Sequence, residues 1–460
     1  MGDTITAIAT PLGEGGIGVV RIGGDNALSI MRMIYKQCPK NIEPRHAYFG
    51  HAISSDGEII DEAVFLYMKG PASYTGEDMV EIQAHGSNVS LRNIVRTAIE
   101  HGARMAEPGE FTKLAFLNGK LDLSQAEAVI DIIKARTDMT LEIAEKQKEG
   151  RLSETIEEIR ESLVDILAQM AVNIDYPDED IEETEYEDHI DSLRWTINSI
   201  DELIDTASIG RIAREGIKIA IVGKPNVGKS SLMNAILGEG RVIVTDIPGT
   251  TRDTVEESAN IDGVPIVLID TAGIRDTDDR IEQIGIKRTE RAIASSDMIM
   301  LVIDGSRDLE DEDDEIIRYV KHIDGDRILV VINKEDLGDS VDDRIIESKI
   351  PGCTIIRTSL VDGNAVKAAK KVSSVISEKF DFGNLMNTES HIITSERQLS
   401  LLKKAASELE EAVDQLSEGE AIEVAEINVH EAYDRLGEII GEAAGDEILD
   451  TVFSKFCLGK

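Results

Sequence analysis

Cysteine is scarce in this chain: the 460 residues include only Cys38, Cys353 and Cys457, and no two of them form a Cys-x-x-Cys pair. Such wide spacing excludes a disulfide framework and a cysteine-rich zinc site. Long apolar runs are also missing, because no stretch approaches the roughly 20 residues that a membrane-spanning helix needs. The N-terminus lacks a basic segment followed by an apolar one, so we expect a cytoplasmic protein with no membrane contact.

Basic residues are few relative to acidic ones, with 48 Lys and Arg against 89 Asp and Glu and a net charge of −41. A chain this acidic repels a nucleic-acid backbone wherever basic residues are not clustered. Any RNA contact is therefore expected to be local or assisted by a partner. The 42% hydrophobic content and the length predict two or three folded domains rather than a disordered chain.

The first 118 residues combine many glycines with short strand-like runs at 4–9, 18–22 and 62–67. Together with a few helical stretches, these runs predict an N-terminal α+β domain over residues 1–118. A Gly-x-Gly-x-x-Gly pattern at 13–18 precedes an apolar run that favours a strand. Since a dinucleotide site needs a helix there, no such site is expected.

Helical periodicity runs from residue 121 to about 210 and returns from 394 to the end. Ser124 and Glu127 fit a Ser-x-x-Glu capping box at the first helix start. Proline and clustered carboxylates favour an exposed break at 175–180. We therefore predict one helical domain built from two flanks, 119–215 and 383–460. The second flank carries an apolar stripe formed by Leu399, Leu402, Ala405, Leu409 and Val413.

Between residues 216 and 382, near-continuous apolar runs alternate with helical segments. This alternation predicts a mostly parallel sheet covered by helices on both faces, inserted between the two helical flanks. The predicted strands are 217–222, 266–269, 298–303, 328–332 and 354–356.

A phosphate-binding motif follows the first of these strands, because residues 223–230 fit G-x-x-x-x-G-K-S/T and precede a helical segment. The glycines allow backbone N–H groups to turn inward around a phosphate. Lys229 is predicted to neutralise the β- and γ-phosphate oxygens and Ser230 to bind Mg²⁺. The other residues predicted to contact the nucleotide here are Asn226, Val227, Gly228 and Ser231.

Guanine selectivity is predicted from Asn333, Lys334 and Asp336, at the end of the strand at 328–332. The Asp336 carboxylate accepts two hydrogen bonds from guanine N1–H and N2–H₂, whereas adenine offers an acceptor there. GTP is therefore expected rather than ATP. Backbone N–H groups of Thr358, Ser359 and Leu360 are candidates to support the base, although an ordinary polar turn is the plainer interpretation.

Two further segments fit the γ-phosphate and metal region. Asp270, at the end of the strand at 266–269, is expected near Mg²⁺, and the Gly273 N–H is expected to bond the γ-phosphate. The loop 245–253 carries several hydroxyl groups that could reach the metal and the γ-phosphate, and we assign Thr251 as a ligand of Mg²⁺. The predicted nucleotide-contacting residues of these segments are Thr245, Asp246, Ile247, Pro248, Gly249, Thr250, Thr251, Asp270, Thr271, Ala272 and Gly273.

The position after Gly273 holds Ile274, where Ras-type proteins carry the glutamine that orients water. An aliphatic side chain cannot hold water, so another residue must complete catalysis. Glu282 is a candidate water-positioning carboxylate. From the residues alone, a helix cap or a surface charge is the alternative interpretation.

Taken in order, these motifs resemble the TrmE-Era-Era-like-septin group of GTPases, and the flanks are similar to the MnmE (TrmE) family of tRNA-modifying GTPases. The resemblance covers essentially the whole chain and is carried by residues 73–86, 108–122 and 456–460. It implies a multidomain α+β and α/β fold: an N-terminal α+β folate-binding domain, a discontinuous helical domain and an inserted Ras-like P-loop G domain.

The resemblance also implies partners and cofactors. A homodimer is expected, whose N-terminal domains bind 5-formyl- or 5,10-methylene-tetrahydrofolate and whose G domains associate in the GTP state with K⁺. With the FAD-dependent partner MnmG (GidA), the protein would form an aminomethyl or carboxymethylaminomethyl group at C5 of wobble uridine 34 in certain tRNAs. FAD is expected only through that partner.

Individual roles follow from the same resemblance. The family pattern places Glu282 and Lys229 in catalysis and makes Cys457 a possible functional site. Folate binding is assigned to Arg21, Glu81, Lys120 and Lys460. The K⁺ ligands would be Asn226, Thr245, Ile247 and Thr250.

The alternative function is an Era-like GTP-dependent switch in ribosome assembly. Era-like proteins append an RNA-binding domain, whereas the C-terminal flank here is acidic and lacks a GXXG clamp in a basic setting. This difference weighs against the alternative.

Overall fold

The computed structural model describes residues 3–175, 183–239, 255–270, 291–361, 363–383, 391–442 and 444–460. The chain divides into two compact units. The first comprises residues 1–130, 146–201 and 400–460, and the second residues 131–145 and 202–399. The predicted domain boundaries at residues 118, 215 and 382 stay predictions.

The first unit contains a six-stranded sheet in the order β3-β4-β5-β2-β1-β6, antiparallel except for the β1–β6 pair. Apolar side chains from its strands pack against two helices, with Phe65, Ile82 and Ile94 fully buried. The predicted N-terminal α+β fold is confirmed. The elements are β1 (Ile5–Ile8), β2 (Gly15–Gly23), α1 (Ala27–Ile34), β3 (Ala47–Ile53), β4 (Ile59–Met68), β5 (Met79–Gly86), α2 (Asn88–Glu100), β6 (Arg104–Met105) and α3 (Glu110–Leu117).

The glycine-rich segment 13–18 leads into strand β2, as the sequence predicts. Strands β3, β5 and β6 are not among the predicted runs. Strand β3, Ala47–Ile53, has a glycine at its centre and an exposed phenylalanine, Phe49, so its buried residues form no clear apolar pattern.

Helices dominate both flanks. They are α4 (Leu123–Lys134), α5 (Asp138–Lys148), α6 (Arg151–Asp175), α7 (Glu183–Asp205), α8 (Ala207–Glu215), α13 (Glu396–Ser417), α14 (Ile422–Ile440) and α15 (Asp446–Phe453). On α13 the stripe residues Leu402, Ala405, Leu409 and Val413 are buried, and Leu399 is partly buried. Residues 176–180 of the predicted break lie outside the described residues.

Helices α6 and α14 come from opposite flanks and pack together in the first unit. The Arg160 guanidinium lies 4.2 Å from the centroid of the Tyr433 ring and forms an ion pair with Glu442. Gly437 lies beside this contact, where a Cβ would be 3.2 Å from Arg160 Nη2. The predicted discontinuous helical domain is therefore confirmed.

Helix α4 begins differently from the prediction. Asp122, not Ser124, caps it: the Asp122 carboxylate accepts from the Gln125 N–H at 2.8 Å, and Gln125 Oε1 accepts from the Asp122 N–H at 2.9 Å. Ser124 and Glu127 both lie inside the helix and are buried. The predicted capping box was wrong because Asp and Gln complete the same reciprocal pattern two residues earlier.

The second unit contains a six-stranded sheet in the order β12-β11-β10-β7-β9-β8, parallel except for the β8–β9 pair. Alternate residues of its strands pack against helices on opposite faces, as predicted. The elements are β7 (Ile217–Val222), α9 (Lys229–Glu239), β8 (Val255–Ile261), β9 (Val264–Asp270), β10 (Met298–Asp304), α10 (Asp311–Val320), β11 (Ile328–Asn333), α11 (Asp343–Lys349), β12 (Thr354–Arg357) and α12 (Ala365–Lys379).

Strand β8 was not predicted. It pairs with β9 alone, so one edge has no strand neighbour among the described residues. An edge strand tolerates charged residues, and Glu256 and Glu257 mask its apolar pattern. No helix of the described part of the chain is long and apolar enough to span a bilayer.

Helix α8 packs closely against the segment 391–394 of the same unit. The Thr206 hydroxyl contacts both the His391 carbonyl, at 3.2 Å, and the Ile393 N–H, at 3.1 Å. Gly210 lies one turn further on, where an added Cβ would be 1.9 Å from the Ile393 carbonyl oxygen. Only glycine fits between these two segments.

We expect Gly210→Ala to lower stability by about 2 kcal/mol or more, because the new methyl group must push two backbone segments apart. The matched control is Gly238→Ala near the end of helix α9, where a Cβ would meet nothing within 4 Å. Thermal denaturation should show a lower melting temperature for the first variant and no loss for the second. Equal melting temperatures would contradict the packing described.

Candidate nucleotide-binding site

The phosphate loop lies between strand β7 and helix α9, where strand order reverses between β10 and β9. Gly223 and Gly228 adopt φ values of 150° and 108°, and Asn226 is left-handed at 63°. A Cβ at Gly223 would lie 2.3 Å from the Val302 carbonyl oxygen. The glycines of the motif are therefore required by both conformation and space.

Lys229 is the first residue of α9, and its side chain is buried. Its Nζ donates to the carbonyl oxygens of Gly223, at 2.8 Å, and Lys224, at 2.6 Å. Burial lowers the pKa of Lys229, and the nearby Asp270 carboxylate opposes that shift. The ammonium is held at a helix N-terminus, the place where a phosphate anion is favoured.

Asn333 connects the guanine motif to the phosphate loop. It is buried, and its Nδ2 donates to the Val227 carbonyl at 2.8 Å. A Cβ at Gly228 would lie 2.2 Å from the same nitrogen. The sequence predicted Asn333 as a nucleotide contact, and the structure gives it a bracing contact to the phosphate loop.

Asp336 follows strand β11 on an exposed turn. One carboxylate oxygen accepts from the Ser359 hydroxyl at 2.6 Å. The Thr358 N–H donates to the Ile332 carbonyl at 2.8 Å, so it is used within the fold. Support of a base by this turn would therefore come from Ser359 and Leu360 rather than from Thr358.

Lys334 has a left-handed backbone, with φ of 66°. Its Nζ donates to Asp304 Oδ2 at 2.6 Å, at the carboxyl end of strand β10. Burial alone would raise the pKa of Asp304, but hydrogen bonds from Lys334 and Ser306 hold it below its usual range. Asp304 and Ser306 were missed from the sequence, although a carboxylate at the end of an apolar strand was a usable signal.

The metal-facing side is described in part. Ser230 is exposed near the start of α9, and Asp270 is buried at the end of β9, within electrostatic range of Lys229. Oxygen donors of this kind suit Mg²⁺. The following predicted residues lie outside the described residues: Thr245, Asp246, Ile247, Pro248, Gly249, Thr250, Thr251, Thr271, Ala272, Gly273 and Glu282.

A second polar cluster lies in the first unit around Arg21 of strand β2. Arg21 Nε donates to Glu81 Oε1 at 2.9 Å, and Nη1 donates to the Gly459 carbonyl at 3.2 Å. Its guanidinium lies 5.8 Å from the Tyr74 ring centroid. Tyr74 was missed as a site candidate, although it falls in a motif that carried the family resemblance.

The C-terminal segment closes this cluster. Burial lowers the pKa of Lys460, Arg21 adds to that shift, and Cys457 and Glu81 oppose it. The structure thus brings Arg21, Glu81 and Lys460 together. Lys120 instead donates to the Pro71 carbonyl at 3.2 Å, on the loop that carries Tyr74. Cys457 is exposed.

The parallel sheet, the glycine-lined phosphate loop with its buried lysine, and the guanine motif define a P-loop guanine-nucleotide-binding protein. Family models described as "MnmE helical domain" and "GTP-binding protein TrmE N-terminus" match residues 123–457 and 4–120. The chain belongs to the MnmE (TrmE) family, as the sequence resemblance indicates.

Curated relatives of this family are similar in sequence to the chain over its full length. The tRNA modification GTPase MnmE of Clostridioides difficile (strain 630) is 44% identical over 463 residues, covering 100% of this chain and 99% of that protein. The proteins of the same name from Lactobacillus acidophilus and Staphylococcus haemolyticus are 42% and 40% identical, again over 100% of this chain and 98% and 99% of theirs.

Replacing Asp336 by Asn should weaken GTP binding about 100-fold, because the amide cannot accept from both guanine donors. Xanthosine triphosphate should gain affinity, since its C2 oxygen accepts from the new amide. Fluorescence titration with GTP and with xanthosine triphosphate measures the two affinities and so the change in base specificity. Asp339→Asn, which removes an exposed ion-pair partner of Arg357, should change neither affinity. Unchanged GTP binding by Asp336→Asn would remove Asp336 from base recognition.

Proposed function

We propose that this tRNA modification GTPase of the MnmE family is a potassium-activated GTP hydrolase. With the FAD-dependent partner MnmG (GidA), it would form the aminomethyl-type group at C5 of wobble uridine 34. The observation that carries the proposal is the buried Lys229 ammonium, which donates to two phosphate-loop carbonyls at the start of α9. It occurs in a chain that matches named tRNA modification GTPases over its whole length.

Phosphate binding and base selection are proposed for different parts of the same sheet edge. Lys229 and the N–H groups at the start of α9 would bind the β- and γ-phosphates. Asp336, with Ser359 orienting its carboxylate, would select guanine. Asn333 connects the two parts, because its amide donates to the Val227 carbonyl of the phosphate loop at 2.8 Å.

Two cations are part of the proposal. Ser230, Asp270 and Thr251 fit the oxygen chemistry of Mg²⁺. Asn226, whose side chain is exposed on the phosphate loop, would hold K⁺ with Thr245, Ile247 and Thr250. When bound, these cations supply positive charge that stabilises the phosphoryl oxygens, as an arginine finger does elsewhere.

Water positioning is proposed for Glu282. Ile274 cannot take that role, because its side chain is aliphatic. A carboxylate accepts a hydrogen bond from the attacking water and thereby orients a lone pair of the water oxygen toward the γ-phosphorus. No external activating protein is then required for turnover.

A tetrahydrofolate carrying a formyl or methylene group is proposed as ligand of the Arg21 cluster, in a homodimer. Arg21 and Lys460 would meet carboxylates, and Glu81 would accept from the N–H edge of the pterin. The depressed pKa of Lys460 reflects burial beside Arg21, and a bound anion would offset both charges. Lys120 and Cys457 would contribute from the rim, and FAD would come only from MnmG.

The cytoplasm is the proposed location, where tRNA and partner are available. The net charge of −41 opposes broad contact with RNA. We therefore propose that tRNA is held largely by the partner or through a local contact.

Turnover of GTP should be faster in KCl than in NaCl by about tenfold or more, because the proposed site places the cation beside the phosphates. Phosphate release at equal ionic strength measures this. Asn226→Ala should remove most of the difference while GTP still binds. Equal rates of the wild-type protein in the two salts would contradict the cation site.

Glu282→Ala should retain GTP affinity, lose roughly 100-fold or more in kcat, and leave wobble uridine unmodified in a complemented deletion strain. Mass spectrometry of tRNA nucleosides gives the readout. Complementation with Glu347→Ala, an exposed change on α11, should restore the modification. Normal tRNA nucleosides in the deletion strain, with defective ribosomes, would instead support an Era-like role in ribosome assembly.

A further inference from the structure

A chain of ionic contacts runs behind the nucleotide site of the second unit. Lys224 occupies the first unspecified (x) position of the phosphate-loop motif G-x-x-x-x-G-K-S/T, and its side chain is buried against carboxylates at the start of helix α10. It pairs with Glu310, with Glu312 at 3.0 Å and with Asp313 at 3.6 Å. The loop is thus attached to a helix that does not itself belong to the predicted nucleotide motifs.

The start of α10 is built to hold this lysine. Asp313 accepts from the Glu310 N–H at 3.1 Å, and this contact fixes the first turn of the helix. A helix N-terminus normally favours carboxylates, so several can gather there at little cost. The hydrogen bond that Lys224 Nζ donates to the Glu310 carboxylate lowers the pKa of Glu310 and raises the pKa of Lys224.

The contacts continue from Glu310 to the guanine motif. Glu310 also pairs with Arg307, whose Nε lies 3.6 Å from Asp304 Oδ2. Asp304 in turn accepts from Lys334 Nζ at 2.6 Å. Lys334 belongs to the motif that ends in Asp336, so the chain reaches the base side of the site.

At its other end the chain reaches the phosphate lysine. The Lys224 carbonyl accepts from Lys229 Nζ at 2.6 Å, while the Lys224 side chain binds α10. Lys224 therefore joins the helix and the phosphate-binding ammonium through a single residue. The two buried members, Lys224 and Asp304, matter most, since buried charges lose more than exposed ones when a partner is removed.

We propose that Lys224, Glu310 and Arg307 are positioning residues that couple the phosphate loop to guanine recognition, through the contacts Lys224–Glu310–Arg307–Asp304–Lys334. None of the first three is assigned a contact with nucleotide. Their effect is on the relative placement of Lys229 and the guanine motif, so removing one link changes base discrimination as well as affinity. The inference rests on the proposed GTP-binding function.

The preference for GTP over inosine triphosphate distinguishes this coupling from a purely structural role in the phosphate loop. Inosine triphosphate lacks the exocyclic N2 amino group, so it keeps one of the two hydrogen bonds to Asp336. The ratio of the Kd values for inosine triphosphate and GTP therefore reports on the placement of the base motif. A defect confined to the phosphate loop weakens both nucleotides equally and leaves the ratio unchanged.

The experiment measures both Kd values for the full-length wild type, Lys224→Met, Arg307→Gln and the double variant. We expect each single variant to reduce the ratio by about fivefold, a typical size for coupled contacts. The Kd ratio of the double variant should be only slightly lower than that of each single variant, since both changes interrupt the same series of ionic contacts. Lys224→Arg, which keeps the charge, should retain the wild-type ratio.

Asp314→Asn is the matched control, because Asp314 also lies on α10 but outside the chain of contacts, and its 2.6 Å ion pair is with Lys349 of helix α11. It should leave both Kd values unchanged. Arg307 is partly exposed, so Arg307→Gln is expected to fold even if Lys224→Met does not, and melting temperatures check this.

Equal weakening of both nucleotides in the single variants, or no change in Arg307→Gln, would overturn the coupling. A wild-type protein that binds neither nucleotide would instead overturn the proposed function, and the inference with it.

Discussion

The nucleotide site depends on one buried charge, the ammonium of Lys229. Removing an ammonium from water is costly unless protein groups replace the lost hydration. Here the replacements are two carbonyl oxygens of the phosphate loop, together with the nearby Asp270 carboxylate. The loop must therefore fold back over the lysine, and its glycines permit that path.

The fold of the phosphate loop also constrains the segment that carries the guanine motif. Gly228 leaves room for the Asn333 amide, and Asn333 donates to the Val227 carbonyl. The ionic contacts from Lys224 through Glu310, Arg307 and Asp304 to Lys334 form a second connection between the same two segments. Two connections therefore link the phosphate loop to the segment that carries the guanine motif, although the residues involved are more than a hundred positions apart.

The Arg21 cluster follows a similar principle in the first unit. A guanidinium on strand β2 is matched by Glu81 on the neighbouring strand β5 and by a carbonyl of the C-terminal segment. Gly459 is required there because a Cβ would lie 2.3 Å from the Ile8 carbonyl oxygen. The C-terminal segment thereby contacts a polar cluster carried by strands β2 and β5.

Local patterns in the sequence determined the parallel strands, the phosphate loop and the guanine motif. Apolar runs mark buried strands, and glycine and lysine at fixed spacing mark an anion-binding turn, so strand β7 was predicted at its observed bounds. Edge strand β8 was not predicted, because its charged residues hide the apolar pattern of a strand. The Asp122 cap was not predicted, because two capping patterns lie two residues apart in the sequence and the sequence does not show which one forms. Only tertiary structure decided that Lys224 binds helix α10, that Asn333 braces the phosphate loop, and that Gly459 meets Arg21. Each of these contacts joins residues that no local pattern relates, and each is fixed by how strands and helices pack.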